Sequence, residues 1–367
     1  MLGLYIHIPF CKSICHYCDF AKTIPRNQKV VDKYLDKLIE EIKMHQESFN
    51  KINTIYIGGG TPNYLNDESL TRLLKVLEPI KPTEFTIEIN PELYTESQGQ
   101  ILKKYGVNRV SIGVQTFNQE ILDYLNRKHT EKDVIKAVSG LKKNGIENVS
   151  IDLIFAIPNQ TINDIKYDLL KAHELGVKHI SYYSLILEEN TYFYYLYNRQ
   201  KFTEVSEDLS REMYEFIIKN IAEMGYDHYE ISNFSKPEYE SIHNKIYWNF
   251  DDYIGVGLAA SGFIDGIRYY NDKSLNKYLK KALLEKVELT KEDKISEEII
   301  MKLRLKVGIN VSEFNKKHEI DIYKTFPKIK EMIDLKLLTE ENGYLKLTTE
   351  GLFLGNQVFQ IFIWNIF

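Results

Sequence analysis

Three cysteines, Cys11, Cys15 and Cys18, are the only ones in the chain, and all fall inside eight residues of the stretch HIPFCKSICHYCDF. Thiolates are the usual ligands of iron–sulfur clusters. Three on one short loop can hold three irons of a cubane [4Fe–4S] cluster and leave the fourth iron open to a ligand from outside the protein. The same residues admit a second metal, a Cys3His structural zinc site with His7 or His16 as fourth ligand. Structural zinc loops, however, usually pair two close ligands with two distant ones. A disulfide framework does not suit three cysteines so close together. With no secretory apolar segment ahead of them, the pattern reads as a reduced, cytoplasmic protein.

Other residues that could do chemistry recur just after β-rich runs. They are Gly58–Gly59–Gly60–Thr61–Pro62, Glu88 in TIEINP, Gln115 in SIGVQTF and Asp152 in SIDLIFAIP. Arg127 in LNR and His243 in HNKIYW complete the set. A glycine triplet lets backbone amides approach a ligand because no Cβ intervenes, but it also makes a tight turn. A strand-end carboxylate, a surface arginine or an isolated histidine is equally at home solvated, capping or hydrogen-bonded.

The elements that must hold these residues alternate between strand and helix. Strands are predicted at Gly3–Ile8, Thr54–Gly58, Glu84–Asn90, Arg109–Val114, Val149–Ile154 and His179–Leu185. Between the first two, Val31, Tyr34, Leu35, Leu38, Ile39 and Ile42 recur at three- and four-residue spacing, the mark of a buried helical face. Further helices are predicted at Glu68–Leu77, Glu96–Tyr105, Glu131–Asn144, Ile162–Leu175 and Glu207–Met224. Six such units, the first five with a polar or glycine-rich motif at the strand's C-terminal end, fit an α/β fold of the partial (β/α)6 barrel kind. The alternation stops near Lys236–Pro237, which divides the chain into residues 1–235, a connecting segment at 236–290 and a C-terminal module at 291–367. That module reads as helices Ser296–Lys306, Val311–His318 and Ile320–Leu335, a hairpin around Glu341–Asn342–Gly343 and a last helix from Glu350. This is a helical, winged-helix-like arrangement.

Composition narrows the functional classes. The formal net charge of −5 argues against a nucleic-acid protein, whose footprint would be a basic patch. No apolar run approaches the roughly 20 residues of a membrane span, Leu352–Phe367 included.

The spacing CxxxCxxC resembles the signature of the radical S-adenosylmethionine (SAM) superfamily. That resemblance implies a [4Fe–4S] cluster on Cys11, Cys15 and Cys18. Its open iron would chelate the amino and carboxylate groups of SAM, and one electron would break a carbon–sulfur bond to give a 5′-deoxyadenosyl radical. The run from Tyr5 through PFC, GGGTP, IEINP, GVQTF, LNR and IDLIFAIP is similar to the branch that contains oxygen-independent coproporphyrinogen III oxidase and the heme chaperones of the HemW type. In that branch the residues matching Tyr5 and Tyr17 pack near the methionine and adenine of SAM, and those matching Gly59, Gly60 and Thr61 meet its amino group. Residues matching Glu88, Gln115, Arg127 and Asp152 bind its amino, carboxylate or ribose groups, which suits charge-assisted hydrogen bonding.

Two features separate the branches. The oxidase pattern has a further cysteine where this chain has Phe20, and a substantial extension ahead of the first strand where only Met1 and Leu2 stand here. The run His243–Asn244–Lys245–Ile246–Tyr247–Trp248 is similar to the HNxxYW motif of the chaperone group, which implies heme as a cofactor with His243 as an axial ligand and Tyr247 and Trp248 stacked on the macrocycle. The glycine-rich stretch 255–262 carries no second histidine, so its simpler role is a tight connection. The resemblance further implies transfer of heme to apo-hemoproteins, those of the respiratory chain among them, with a homodimer and peripheral membrane association as accessible states. The alternatives are a SAM-dependent radical enzyme acting on a porphyrinogen and a zinc-stabilised structural protein.

Overall fold

A computed structural model describes residues 1–364; the last three residues of the predicted C-terminal helix lie outside the described residues. Six strands lie side by side in sequence order, each parallel to the next. They are β1 (Leu2–Ile8), β2 (Thr54–Gly59), β3 (Glu84–Ile89), β4 (Arg109–Gln115), β5 (Asn148–Phe155) and β6 (His179–Ser184). Parallel neighbours cannot be joined by a tight hairpin and need a crossover. These are supplied by α1 (Gln28–Met44), α2 (Asp67–Leu77), α3 (Glu96–Lys104), α4 (Gln119–Tyr124) with α5 (Glu131–Lys143), and α6 (Ile162–Glu174). After β6 come α7 (Tyr192–Tyr197) and α8 (Glu207–Glu223). The expected α/β barrel-type architecture is present, with strand limits within two residues of those predicted.

Local chemistry starts each helix where the sequence places it. The Asn27 side chain accepts from the Val30 N–H ahead of α1, and Thr161 with Asp164 closes a reciprocal capping box on α6. Each cap satisfies a donor the first helical turn leaves orphaned. The buried face of α1 is Val31, Tyr34, Leu35, Leu38 and Ile42. Strand alternation does the rest. Leu4, Ile6, Ile8, Ile55, Ile57, Phe85, Ile87, Val110, Ile112 and Ile151 are buried on one face. The intervening positions carry Tyr5, His7, Tyr56, Glu84, Thr86, Glu88, Arg109, Ser111, Ser150, Asp152, His179 and Ser181 on the other.

Residues 236–290 do more than connect. They form α9 (Ile242–Trp248) and, with the hairpin β7 (Asp227–Glu230) and β8 (Asn233–Ser235), extend the sheet at both ends. Strand β9 (Asp252–Val256) pairs parallel with β1, and β10 (Ser261–Ile264), β11 (Ile267–Asn271) and β12 (Leu283–Glu288) follow antiparallel, giving twelve strands. The first strand is thereby central rather than an exposed edge. Sequence reading missed these strands because they are short and interrupted by Gly255, Gly257 and Gly262. Their glycines are required by packing: a Cβ at Gly255 would meet the Ser261 carbonyl oxygen at 1.9 Å, and one at Gly262 would meet the Tyr269 ring at 2.1 Å.

Buried polar bonds lock this extension to α1. Glu41 accepts from the Gly257 N–H at 3.0 Å, Asn271 Nδ2 at 2.6 Å and the Tyr278 hydroxyl at 2.6 Å. The Tyr34 hydroxyl donates to the His7 carbonyl at 2.7 Å and accepts from the Leu258 N–H at 3.0 Å.

The C-terminal residues form helices Lys291–Lys302, Val311–His318, Ile322–Thr325 and Lys328–Asp334, a hairpin of Leu338–Glu341 with Tyr344–Leu347, and helices Thr349–Phe353 and Gly355–Gln360. The single helix predicted over Ile320–Leu335 is broken in two at Phe326–Pro327, as expected of a proline that cannot continue a helix. The Arg304 guanidinium lies 4.4 Å over the Trp248 ring, and Arg268 and Glu297 form a bidentate pair at 2.8 and 2.6 Å, so this module docks on α9 and β11. No helix among the described residues is long and apolar enough to cross a membrane.

Removing the Glu41 carboxylate strands three buried donors. Glu41→Ala should therefore cost about 3 kcal/mol, on the scale of unsatisfied buried hydrogen-bonding groups. Urea unfolding midpoints of the variant and wild type measure this; a loss under about 1 kcal/mol would show that water replaces the carboxylate.

Candidate functional site

The C-terminal ends of the parallel strands surround a cavity of about 420 Å³. It is lined by Cys11, Cys15, Tyr17 and Cys18 from the loop after β1, and by Gly59, Gly60 and Thr61 from the turn after β2. The strand-end side chains Glu88, Gln115 and Asp152 and the guanidinium of Arg127 complete the wall. Every residue predicted to contact cluster or SAM therefore faces one space, with one exception. Tyr5 stands behind the wall, its hydroxyl 3.0 Å from His7 Nδ1 and its ring stacked on Tyr56 at 6.2 Å.

The cysteine loop is held by its surroundings. The Cys11 N–H donates to the Thr23 carbonyl at 3.0 Å, and the Cys11 sulfur accepts from the Thr61 hydroxyl at 3.5 Å. Arg127 reaches Cys15 Sγ at 3.7 Å while binding the Gly113 carbonyl at 2.6 Å and Asn90 Oδ1 at 3.0 Å. Gly60 has to be glycine for this loop to close, because a Cβ there would lie 2.8 Å from the Pro9 carbonyl carbon and 3.0 Å from Cys11 Sγ. Gly59 has φ of +114°, and a Cβ would strike the His7 ring at 2.4 Å. The triplet is thus a packing surface for the cysteine loop as well as a backbone open to ligand.

Among the described residues no three ligating side chains stand at metal-binding separations. What fits a [4Fe–4S] cluster is the donor chemistry: three free thiols on one cavity wall, with hydroxyl and guanidinium donors aimed at sulfur. Burial raises the Cys11 thiol and pushes the Cys18 thiol up to about 11, against the pull of Lys22. His7 is no candidate for a Cys3His site, since its ring nitrogens meet the Tyr5 hydroxyl and, at 2.7 Å, the Ala21 carbonyl.

The carboxylates are set deep. Burial pushes Glu88 up to about 7 against two donors, the Tyr56 hydroxyl at 2.7 Å and the Gly59 N–H at 3.0 Å. Burial likewise raises Asp152, whose oxygens accept from the Ser111 hydroxyl at 3.0 and 3.1 Å. Gln115 carries φ of +66°, a left-handed backbone uncommon for a non-glycine residue, at a register shift between β4 and β5. Strain at a cavity-lining position is the kind that surrounding structure must enforce.

Sequence reading missed Tyr56, Asn90, Arg109, Ser111, Ser181, Tyr183 and Asn244, which also line the cavity. A signal for most of them was present. Glu84, Thr86 and Glu88 sit at every second position, as do Arg109 and Ser111, and His179, Ser181 and Tyr183, so the polar inner face is a period-two pattern inside runs that otherwise look apolar.

His243, expected as a heme ligand, is buried with its ring already hydrogen-bonded inside the fold. Its ring is 0% exposed and both nitrogens are engaged, Nδ1 with the Thr54 hydroxyl at 2.7 Å and Nε2 with the Tyr247 hydroxyl at 2.8 Å. The ring stacks on Tyr56 at 5.1 Å, and its backbone N–H donates to Glu84 at 2.8 Å. Within HNxxYW, Asn244 reaches the cavity wall, whereas Trp248 lies under Arg304. In this structure the motif supports the floor of the site: His243 backs Tyr56, which in turn holds Glu88.

A parallel sheet with a three-cysteine loop at the end of its first strand and a glycine turn at the end of its second defines a radical SAM protein. The Radical SAM superfamily model matches residues 5–172, and the HemN C-terminal domain model matches residues 289–354. Among curated relatives, heme chaperone HemW of Lactococcus lactis subsp. lactis (strain IL1403) is 43% identical over 98% of this chain and 96% of its own length. HemW of Bacillus subtilis (strain 168) is 36% identical over 99% of both, and HemW of Escherichia coli (strain K12) is 31% identical over 99% of this chain and 98% of its own. The solved structure of coproporphyrinogen III oxidase (HemN) from Escherichia coli, a radical SAM enzyme, is similar with a TM-score of 0.85 at 25% identity, over 98% of this chain and 89% of that one. The chain belongs to the HemW family.

His243→Ala should remove two buried hydrogen bonds and the stack on Tyr56, costing about 3 kcal/mol in urea unfolding; a cost below 1 kcal/mol would mean that the pocket collapses around the gap. The raised Glu88 makes a second outcome measurable. Its unfolded carboxyl ionises near 4.5 and its folded one near 7, so the folded state holds the extra proton between these values and stability is lost as pH rises through that window. Glu88→Gln should thus gain on wild type between pH 5 and pH 8. An unchanged difference in unfolding midpoint across that range would place the folded carboxyl at its ordinary value.

Proposed function

We propose that this chain is a heme chaperone. It would hold a [4Fe–4S] cluster through Cys11, Cys15 and Cys18, take SAM in the adjoining cavity, bind heme, and pass heme to apo-hemoproteins, those of the respiratory chain included. The observation that carries the proposal is full-length similarity to curated HemW proteins together with one cavity uniting the cluster and SAM residues.

When bound, the cluster supplies an electron and an open iron for a chelating ligand. This chain's residues supply the rest. Gly59, Gly60 and Thr61 offer a backbone surface close to Cys11. Glu88 and Asp152 are acceptors for ammonium or hydroxyl groups, and the buried Arg127 holds positive charge between Cys15 and the strand ends. Tyr17, beside the third cysteine, covers the loop side of the cavity. Tyr5 acts through Tyr56 rather than by direct contact. The geometry of His243 does not support it as the iron ligand, so that assignment is not part of the proposal.

The second reading, a SAM-dependent porphyrinogen decarboxylase, is favoured by the overall likeness to the oxidase structure. Against it stands Phe20, which is 65% exposed at the cavity mouth where the oxidase pattern has a cysteine.

Anaerobic, cluster-reconstituted protein titrated with hemin and followed by absorbance, alongside a coproporphyrinogen III turnover assay, separates the readings. Saturable heme binding without turnover is expected, with iron and sulfide lost in the Cys11→Ala, Cys15→Ala and Cys18→Ala variants. Turnover to protoporphyrinogen IX without heme binding would make the chain an enzyme instead. Zinc in place of iron in anaerobically purified protein would overturn the cluster assignment.

A further inference from the structure

We propose that His16, in the cluster loop between Cys15 and Tyr17, is the axial ligand through which this protein holds heme iron; the proposal rests on the heme-chaperone reading and names its binding site. A metal-ligating imidazole nearly always donates its other ring N–H to a carbonyl or carboxylate, which fixes the tautomer and turns the free nitrogen's lone pair outward. His16 Nδ1 lies 2.8 Å from the Tyr124 carbonyl oxygen. A carbonyl can only accept, so Nδ1 carries the hydrogen, and in the neutral imidazole the lone pair is on Nε2. Nε2 has no hydrogen-bond partner among the described residues, and His16 is partly exposed.

The other eight histidines do not offer this arrangement. His7, His179 and His243 have both nitrogens engaged. His129 is 0% exposed with Nε2 on the Val114 carbonyl. His228 stacks on Phe234 at 4.4 Å and is hydrogen-bonded to the backbone of both Ile231 and Glu230, and His318 is paired with Glu298. Among the described residues, no carbonyl orients a ring nitrogen of His45 or His173.

The surroundings of His16 suit a flat, apolar macrocycle that carries carboxylates. Tyr192 packs on the imidazole at 4.4 Å and Phe193 at 5.7 Å. Tyr192 stacks on Tyr195 at 5.9 Å, and the two rings are 48% and 46% exposed, much more than aromatic rings that serve only as packing. The Arg199 guanidinium lies 4.0 Å over Tyr195 and, exposed, has no carboxylate partner among the described residues, which leaves it for a propionate. The loop backbone is pinned on both sides: the His16 N–H donates to the Leu125 carbonyl at 3.1 Å, and its own carbonyl accepts from the Phe193 N–H at 3.0 Å. The imidazole is thus pre-positioned, whereas the macrocycle would lie on an open surface. One protein ligand on one face leaves the other coordination position of the iron free, as transfer to an acceptor's own ligand demands.

The test is a hemin titration of cluster-reconstituted protein and of cluster-free protein, for wild type, His16→Ala, His243→Gln and Arg199→Glu. It is read by the Soret band and by the electron paramagnetic resonance of ferric heme, with iron and sulfide counted for each variant. His16→Ala should lose the histidine-ligated signature and weaken binding at least tenfold, and added imidazole should restore the spectrum. Arg199→Glu should weaken binding with the ligation signature unchanged, and His243→Gln should keep both signature and affinity. An unchanged spectrum and affinity in His16→Ala would overturn the assignment, including in cluster-free protein, where any effect of the substitution on cluster assembly drops out. Loss of the signature in His243→Gln but not in His16→Ala would return the role to His243. Failure of wild type to bind hemin at all would instead overturn the heme-chaperone reading.

Discussion

Parallel pairing of six strands in sequence order is the constraint from which the site follows. Parallel strands end on the same edge, so the residue after each strand is delivered to one mouth whatever its distance in sequence. Register then decides level: Glu88 pairs beside Ser111, and Gly113 beside Asp152, which is beside Ser181. A cysteine loop, a glycine turn, a strand-end glutamate and an aspartate separated by more than a hundred residues thereby share one wall. Without that pairing the motifs would be unrelated polar residues.

Alternation along each strand makes the same sheet both scaffold and site. Apolar side chains on one face bury against the helices, which accounts for most of the favourable burial. The other face must then contain Glu84, Arg109, Asp152 and their neighbours out of bulk water, where an unpartnered charge is costly. The structure answers with hydrogen-bonded chains. Thr54, His243 and Tyr247 form one; Tyr56, Glu88 and Gly59 form another, and the two meet in the stack of His243 on Tyr56. Desolvation nevertheless outweighs these donors for Glu88 and raises its carboxyl. A polar wall near its protonation point is well suited to a ligand that brings its own charges.

The histidines illustrate how far environment outranks residue type. HNxxYW has the composition of a heme motif, yet its imidazole is spent inside the fold. His16 has no motif of its own and sits in a loop whose neighbouring residues face the cavity, but its bond to Tyr124 turns it toward α7 with a nitrogen to spare. Helix α9, which carries HNxxYW, instead ties the C-terminal module and the sheet extension to the cavity floor.

The sequence by itself determined the reactive thiols, the six parallel strands, their helices and the candidate residues at the strand ends. Those signals are local: cysteine spacing, period-two and helical periodicity, capping residues and glycines. It did not reveal the strands in 236–290, because short glycine-interrupted runs acquire their meaning only by pairing with β1 and with each other. Nor did it reveal the break at Phe326–Pro327, or that Tyr5 stands behind Tyr56 instead of in the cavity. Above all, it could not tell a histidine with a spare ring nitrogen from one with both nitrogens engaged. That distinction depends on which carbonyl or hydroxyl meets each ring nitrogen, and the Nδ1 partners of His16 and His243 lie 108 and 189 residues away. Such contacts exist only once the tertiary structure has brought the segments together.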